Sequence, residues 1–312
     1  MSQAQLPRLR VGMAMWSHKG WKSLLPGSGA EARLAAYAEA FDTVEGNTTF
    51  YALPSAQTVA VWNSATPDGF RFTFKMPSRI THELALHNSQ QEVTAFFRLM
   101  TPLLAKTAIW KIQLPARFGP ESLPVLEAFL STLPEGIGLG VEVRHRAFFA
   151  KGEAERDFNR LLMEKGVNRI IMDTRPVFAL PPINEAVIDA HQKKPRVPVH
   201  PIATAANPVV RFIAQPHALQ AWGVEPLSLG LQPGCDNQSF FTPWLTKLGQ
   251  WLAEGRSPYL FIHTPDNSDA PELAAVLVAS LSESLAAQGL EAAVWNPAVV
   301  NARQQDGQIS LL

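Results

Sequence analysis

Glu45 ends a short apolar run and is followed at once by residues that could bind a ligand or transfer a proton. The segment 44–51 reads VEGNTTFY, so a carboxylate, an amide and two hydroxyl groups precede two aromatic rings. A strand that simply ended at the surface would more often stop at Asp-Gly or Pro. This density of short polar groups beside aromatic residues indicates a site rather than a turn.

Most of the other short apolar runs in the chain end in a similar way. The charged or hydrogen-bonding residues near their ends are Glu45, Asn47, Lys75, Gln113, Glu142, Arg144, Asp173, Arg211 and His263. Burying so many polar groups without a function would be costly, because unpaired buried charges are strongly disfavoured. The pattern predicts a ring of polar side chains around one site.

The chemistry that these residues suggest is proton transfer between a carboxylate and an imidazole. Glu45 or Glu142 is the predicted general base, and His82 or His145 is its predicted acid partner. Both kinds of side chain can have their pKa values tuned toward neutral pH by their surroundings. We therefore predict an enzyme that works by acid–base catalysis.

The predicted substrate is a small anion, phosphorylated or sugar-like. Lys75, Arg144 and Arg211 would neutralise its negative charge, since arginine binds phosphate and carboxylate groups through two parallel hydrogen bonds. The other predicted substrate-binding residues are Asn47, Asp173, Trp16, Phe50 and Tyr51. The three aromatic rings would form the wall of the pocket, where planar or sugar-like ligands stack.

Each of these residues also has a purely structural interpretation. Glu45 and Lys75 lie on neighbouring predicted strands and could form an ion pair, and Arg211 and Asp173 could form another. His145 could be an exposed loop residue, and most of the aromatic residues could belong to the core.

The sequence contains no compact signature of a metal, nucleotide or serine-hydrolase site. An H-E-x-x-H motif, a P-loop, a dinucleotide-binding G-x-G-x-x-G and a G-x-S-x-G elbow are all absent. Cys235 is the only cysteine, so no internal disulfide is possible and a reducing compartment is expected. We predict no metal ligands, and the sequence identifies no cofactor.

Composition and charge narrow the class of protein. The chain has 312 residues, of which 46% are hydrophobic, and a formal net charge of zero. That length allows a sizeable core, and the neutral balance argues against a general polyanion-binding surface. The first residues contain no apolar stretch of signal-peptide length, and no uninterrupted apolar run reaches the length of a membrane span. We expect a cytoplasmic protein with no membrane partner, and the sequence does not predict its oligomeric state.

The elements that must position these residues alternate along nearly the whole chain. Apolar runs rich in β-branched and aromatic residues are typical of strands buried on both faces. The predicted strands are 11–15, 43–47, 71–76, 108–114, 139–144, 169–173, 209–214 and 259–263. The predicted helices are 30–40, 56–64, 90–105, 124–133, 153–165, 242–253 and 271–287.

This alternation predicts a single (β/α)8 TIM-type barrel domain of parallel strands over residues 1–312. In such a barrel the functional residues lie at the carboxyl ends of the strands, which is where the polar ring falls. The proline-rich segment 178–208 interrupts the rhythm. It predicts an irregular excursion between strands six and seven, with a short helix near residues 184–190.

Three stretches resemble the YecE-like family, a family of unknown function. They are GMAMWSHKGW at residues 12–21, the long segment 41–83 that ends in SRITHE, and VEVRH at residues 141–145. The resemblance implies a TIM-type barrel but no settled reaction, cofactor or substrate. The family's recurrent polar and aromatic positions fall on Glu45, Asn47, Thr48, Phe50, Tyr51, Lys75, Thr81, His82, Glu142, Arg144, His145, Asp173 and Arg211. Gly46 departs from the family pattern, which usually has a bulky aliphatic residue there.

Two other functions remain open at this point. One is a nucleic-acid-binding barrel or metal-dependent nuclease, which a basic mouth formed by Lys75, Arg79, Arg144 and Arg211 would favour and the zero net charge disfavours. The other is a non-catalytic ligand-binding protein.

Overall fold

Eight parallel strands close into a barrel in the computed structural model, which describes residues 7–21, 29–182, 184–216 and 237–290. Each strand pairs with the next along the chain, and the last pairs with the first. The strands are β1 (Arg10–Met13), β2 (Thr43–Gly46), β3 (Arg71–Lys75), β4 (Thr107–Gln113), β5 (Leu139–Glu142), β6 (Asn168–Asp173), β7 (Val209–Ile213) and β8 (Tyr259–His263). The predicted TIM-type barrel is confirmed.

Helices connect the strands and cover the outside of the barrel. They are α1 (Ala30–Ala40), α2 (Thr48–Tyr51), α3 (Ala56–Ser64), α4 (Gln90–Met100), α5 (Leu123–Leu130), α6 (Glu153–Glu164), α7 (Arg175–Ala179), α8 (Glu185–Lys193), α9 (Asn237–Ala253) and α10 (Ala270–Ala287). Short 3-10 helices span Thr101–Lys106, Pro120–Ser122 and Arg146–Phe149, and a π-helical turn spans Arg79–Glu83. Cys235 lies outside the described residues.

The helix predicted over 90–105 differs from the observed one. Helix α4 ends at Met100 and continues as the 3-10 helix Thr101–Lys106. Pro102 explains the change, because proline has no backbone N–H to donate and its ring clashes with the preceding turn. The short helix α2 and the π-helical turn were not predicted. Both lie in the loops that carry polar residues at the carboxyl end of the barrel.

The excursion between β6 and β7 contains α7 and α8, and irregular chain then leads to β7. Asn184 caps α8 by accepting a hydrogen bond from the backbone N of Val187 at 3.0 Å. The irregular part is tied to α6, where Nδ1 of His200 lies 2.7 Å from Oε1 of Glu155. It is tied to the end of β6 as well, where Thr174 donates to the carbonyl of Pro195 at 2.9 Å. These contacts hold the residues after α8 beside the barrel mouth.

Side chains alternate between the barrel interior and the helix layer along each strand, as the pleat requires. Ile109, Ile170, Val209, Tyr259 and Phe261 form a separate buried cluster. Lys111 and Arg211 lie two residues further along β4 and β7, and therefore on the same faces. An apolar layer thus lies beneath the charged residues at the carboxyl end of the barrel.

Helix α10 is long and apolar enough to cross a membrane by length and composition alone. Half of it is buried inside the fold, and Leu273, Leu277, Leu281 and Leu285 form its buried stripe. This amphipathic pattern is typical of a helix that packs on a barrel. Cytoplasmic location stays a prediction.

Aromatic rings from β3, β4 and α3 stack between the barrel and its helix layer. Phe74 stacks on Trp62 at 5.4 Å, on Phe72 at 5.0 Å and on Trp110 at 5.9 Å between ring centroids. A β-carbon on Gly46 would overlap the ring of Phe74. The position of the Phe74 ring therefore requires glycine at residue 46.

Gly46→Ala is expected to destabilise the protein by about 1–3 kcal/mol, because Phe74 is buried among other rings and has no free volume to move into. Chemical denaturation measures the change. Gly69→Ala is the matched control, since a β-carbon there meets no atom within 4 Å. An equal effect at both positions would contradict the overlap.

Candidate functional site

Glu45 lies at the centre of a buried charge cluster inside the barrel mouth. Its Oε1 is 2.7 Å from Nζ of Lys111 on β4 and 2.8 Å from Nε of Arg211 on β7. Its Oε2 is 3.1 Å from Nε2 of His263 at the end of β8. One carboxylate of β2 therefore contacts side chains from three other strands.

Glu142 forms the second negative pole of the cluster. Its Oε2 accepts a hydrogen bond from Nη1 of Arg211 at 2.7 Å, and its Oε1 accepts two from Arg144 at 3.0 and 3.2 Å. Arg211 thus bridges the carboxylates of Glu45 and Glu142. Its Nη2 makes no hydrogen bond to any described residue, and the side chain lines the pocket described below.

The cations keep both carboxylates ionised. Burial alone would raise the pKa of Glu142, but Arg211 and Arg144 outweigh it and lower the pKa to about 2. Burial opposes ionisation of Glu45 in the same way, and Arg211 followed by Lys111 holds the pKa of Glu45 well below its usual range. Carboxylates held this far below neutral are weak proton acceptors.

For Lys111 and His263, burial outweighs the attraction of the Glu45 carboxylate and lowers their pKa values. Burial lowers the pKa of Lys111 to about 8, although the charge of Glu45 raises it in part. Burial also lowers the pKa of His263 to about 3, against the opposing effect of Glu45. His263 is therefore neutral at physiological pH. The charged members of the cluster are two carboxylates, two arginines and one lysine.

A pocket of about 530 Å³ opens above this cluster. Its lining residues are Ala14, Met15, Trp16, Ser17, Glu45, Asn47, Thr48, Tyr51, Lys75, Lys194, Arg211, His263 and Asn267. They come from the ends of several strands and the loops that follow, together with Lys194 from the excursion. The pocket therefore lies where TIM-type barrels carry their active sites.

Lys75 enters the pocket from the end of β3. Its Nζ donates a hydrogen bond to Oε1 of Gln113 at 2.7 Å and lies 5.6 Å from the ring centre of Phe50. No described carboxylate oxygen lies within 4 Å of this amine. Burial, followed by the charge of Arg211, holds the pKa of Lys75 well below its usual range.

Lys194 enters the same pocket from the residue that follows α8. Within the described chain its amine makes neither a hydrogen bond nor an ion pair. Burial and the charge of Arg211 lower the pKa of Lys194 to about 8. Two lysines with lowered pKa values therefore line one cavity.

Aromatic and amide groups complete the wall. Trp16 packs edge-on against Trp62 at 5.3 Å, and Tyr51 is 82% exposed at the rim. Asn47 precedes α2 and donates from Nδ2 to the carbonyl of Ala14 at 2.8 Å. Its buried Oδ1 has no hydrogen-bond partner among the described residues. That oxygen is left to accept a hydrogen bond from a ligand.

Six of the twelve residues predicted for the site line the pocket, namely Trp16, Glu45, Asn47, Tyr51, Lys75 and Arg211. Glu142 and Arg144 lie beside it as part of the charge cluster, and Phe50 lies under the amine of Lys75. Their roles in binding and catalysis stay predictions.

The two predicted histidines and Asp173 have local partners. Nδ1 of His82 lies 2.9 Å from the hydroxyl of Thr81, and His145 caps the 3-10 helix Arg146–Phe149 by accepting from the backbone N of Ala147 at 3.3 Å. Burial, followed by the charge of Arg144, lowers the pKa of His82. The carboxylate of Asp173 accepts hydrogen bonds from Arg175 and Trp244, and Asp173 does not line the pocket.

Those partners also correct the ion pairs considered from sequence. Asp173 pairs with Arg175 at 2.7 Å and accepts a hydrogen bond from Trp244 at 2.8 Å, so it does not pair with Arg211. Glu45 pairs with Lys111 and not with Lys75.

Sequence reasoning missed Lys111, Lys194 and the role of His263. Lys111 stands inside a predicted strand, two residues before Gln113, and period-two alternation would have placed both on the same face. Lys194 belongs to the polar patch of the excursion, where no periodicity marks one lysine above another. His263 was visible as the polar end of strand eight.

No group of three or more histidine, cysteine, aspartate or glutamate side chains in the described ranges is arranged to hold a metal ion. Oxygens of Glu45 and Glu142 that would suit a cation already contact lysine and arginine. A divalent cation would have to displace these groups.

Comparison with known proteins gives one consistent result. The family model described as "Protein of unknown function DUF72" matches residues 10–297. The chain is 45% identical over 275 residues to the UPF0759 protein YecE of Escherichia coli K12, covering 88% of this chain and 93% of that one.

Solved structures give the same fold. A crystal structure of a DUF72 family protein from Enterococcus faecalis aligns with a TM-score of 0.63 at 20% identity, covering 90% of this chain and 99% of that one. A DUF72 family protein from Thermotoga maritima aligns with a TM-score of 0.62 at 21% identity, covering 89% and 99%.

Proposed function

The chain belongs to the DUF72 family of proteins of unknown function, and we propose that it is an enzyme that acts by acid–base chemistry on a small anionic substrate. The substrate is phosphorylated or sugar-like and binds in the pocket at the carboxyl ends of the strands. One observation carries the proposal. Lys75 and Lys194 bring two amines into a single cavity without a carboxylate partner among the described residues.

The charge balance of the site favours an anion. Both buried carboxylates, Glu45 and Glu142, are already held by Arg211 together with Lys111 or Arg144. Lys194 adds a positive charge that has no carboxylate partner among the described residues of the pocket. Because Lys75 and Lys194 are only partly exposed, an anion gains more there than it would at a fully exposed surface.

The two lysines also suit proton transfer better than the two glutamates do. A general acid or base works best when its pKa lies near the working pH. Glu142, with a pKa of about 2, is far from that condition, whereas Lys194, with a pKa of about 8, is close to it. Glu45 and Glu142 then serve to hold Arg211 in place.

The pocket also fits a compact substrate with hydroxyl groups. A volume of about 530 Å³ is in the range of small-molecule sites. The unpartnered Oδ1 of Asn47 accepts a hydrogen bond from a hydroxyl, and Trp16 and Tyr51 offer rings for a sugar or planar group to pack on.

Phosphate is expected to raise the thermal unfolding temperature by mass action, and Lys194→Met is expected to weaken its binding by about tenfold, equivalent to ~1.4 kcal/mol. Thermal shift titration with phosphate measures both effects. Lys165→Met is the matched control, because Lys165 follows α6 at the opposite end of the barrel. Equal protection of the wild type and both variants would exclude Lys194 from an anion site.

The pH dependence of phosphate binding gives a second arm of the same test. The anion binds the protonated form of Lys194, so binding raises the pKa of this group. Affinity is then fully present below the free pKa of about 8 and falls as the pH rises through it. An affinity that is constant from pH 7 to 9.5 would contradict this assignment.

Turnover distinguishes an enzyme from a non-catalytic binding protein. Binding to a nucleic acid distinguishes a nucleic-acid-binding barrel from both. Arg79 pairs with Glu83 at 2.9 Å, so less basic charge is free at the mouth for a nucleic acid than the sequence suggested. Incubation of phosphorylated sugars with the protein in D₂O tests acid–base chemistry through deuterium exchange into C–H bonds. Binding without exchange or turnover would favour a non-catalytic binding protein.

A further inference from the structure

Lys75 and Lys111 lie on neighbouring strands of the same barrel but have different partners. Nζ of Lys111 is 2.7 Å from a carboxylate oxygen of Glu45, which favours the ammonium form. Nζ of Lys75 bonds only to the neutral amide oxygen of Gln113 at 2.7 Å, within the described chain. Lys75 lines the pocket, and Lys111 lies beneath it.

The surroundings of Lys75 favour a neutral amine. Arg211 and Lys111 place positive charge near it, and burial adds to their effect, so its pKa lies well below the usual range. Desolvation and a neighbouring cation are the two conditions that turn a lysine into a nucleophile. Gln113 holds one N–H of the amine from the side of β4, which leaves the nitrogen lone pair available to the pocket.

We propose that Lys75 is a covalent nucleophile, and that the substrate of this site is an anionic aldehyde or ketone whose carbonyl carbon forms an iminium with Nζ of Lys75. The inference rests on the proposed function, because the anionic group is what the cationic pocket binds. It deepens that function by naming the reacting group of the substrate.

The steps balance without an added oxidant or reductant. The neutral amine of Lys75 attacks the carbonyl carbon, a C–N bond forms as the C=O π bond breaks, and the attacking nitrogen passes one proton to the former carbonyl oxygen to give a neutral carbinolamine. The ammonium of Lys194, which lines the same pocket, donates a proton to the hydroxyl group. Water leaves, the C=N bond forms, and the positive charge has passed from Lys194 to the iminium.

Borohydride trapping tests the proposal directly. The wild-type protein is incubated at pH 7 with pyruvate or with dihydroxyacetone phosphate, reduced with sodium borohydride, and measured by intact mass and tryptic mapping. A reduced adduct on Lys75 blocks cleavage there and gives the peptide 72–79, FTFKMPSR, with the added mass of one substrate molecule less one oxygen atom, because water leaves and reduction adds two hydrogens. We expect adduct on Lys75 at about ten or more times the level on a surface lysine, since each unit of lowered pKa gives tenfold more neutral amine.

Two variants serve as controls. Lys75→Arg keeps a long nitrogen-bearing side chain but cannot form an iminium, so the adduct should be lost. Lys165→Arg, at the opposite end of the barrel, should form as much adduct on residue 75 as the wild type does. The wild-type peptide map stands by itself if Lys75→Arg does not fold.

The outcomes separate this inference from the proposed function. If no adduct forms on Lys75, or if adduct is spread evenly over the surface lysines, Lys75 is not the nucleophile. If phosphate still protects the protein through Lys194 in that case, the anion site stands. If phosphate protection is absent as well, both proposals fail.

Discussion

Arg211→Met is expected to lower the free energy of unfolding by about 3–5 kcal/mol, the usual cost of leaving a buried charge without its partner. Arg211 is 2% exposed and contacts Glu45 at 2.8 Å and Glu142 at 2.7 Å. Methionine fills much of the same volume, so the loss comes from the charge rather than from a cavity. Urea denaturation at pH 7 measures it.

The loss should shrink as the pH falls from 7 toward 5. Without the guanidinium group, burial raises the pKa values of Glu45 and Glu142, so the folded variant binds more protons than the unfolded chain. Stability then rises as the pH falls. In the wild type the pKa of Glu142 is about 2, below that of the unfolded chain, so this residue contributes stability that is lost only at lower pH.

Arg160→Met is the matched control for this change. Arg160 is exposed on α6 and pairs with Asp157 at 3.1 Å one turn earlier. Exposed pairs of this kind contribute about 0–1 kcal/mol. A loss at Arg211 no larger than the loss at Arg160, or one that grows as the pH falls, would mean that Arg211 does not hold the two carboxylates.

The barrel could be predicted from sequence because it depends on patterns that are local. Each strand is a short apolar run buried on both faces, and each helix carries its own periodicity. The polar ring was predictable for the same reason, since parallel strands bring their carboxyl ends to one edge. Strand boundaries differed most at β1, which begins and ends earlier than the predicted range 11–15, and at β5, where Val143 and Arg144 lie beyond the end of the strand.

The pairings within the site could not be predicted, because they depend on distances across the barrel. Glu45 reaches Lys111 and Arg211 from strands that are not its neighbours, 66 residues away in the first case. Sequence adjacency favoured Lys75, which lies on the next strand. The length of each side chain and its direction into the barrel decide the partner, and the local sequence pattern does not predict either one.

The same contacts change the interpretation of the predicted catalytic glutamates. A carboxylate with three cationic or imidazole neighbours is held in one place and has little affinity for a proton. Lys75 and Lys194 have the opposite character, because burial and like charge make their protons easy to lose. The polar ring therefore divides into a charge cluster at the floor and two amines with lowered pKa values in the pocket.

Glu45→Gln separates these two roles and is expected to lower the free energy of unfolding by about 3–5 kcal/mol at pH 7. Glu45 is fully buried, and its carboxylate is 2.7 Å from Lys111 and 2.8 Å from Arg211. Glutamine keeps the shape and one acceptor oxygen but removes the charge, so Lys111 loses its carboxylate partner and Arg211 keeps only Glu142. Chemical denaturation measures the change beside Glu283→Gln, an exposed control on α10.

The pH dependence of this loss should run opposite to that of Arg211→Met. Lys111 in the wild type has a pKa of about 8, and removal of Glu45 lowers it further, so the folded variant binds fewer protons than the unfolded chain. Stability of the variant then rises with pH toward the unfolded lysine pKa of about 10.4, and its deficit against the wild type shrinks as the pH rises to about 8. A deficit under about 1 kcal/mol would instead mean that Glu45 faces a solvated pocket, because exposed ion pairs contribute little to stability. That result would favour the predicted role of Glu45 as general base.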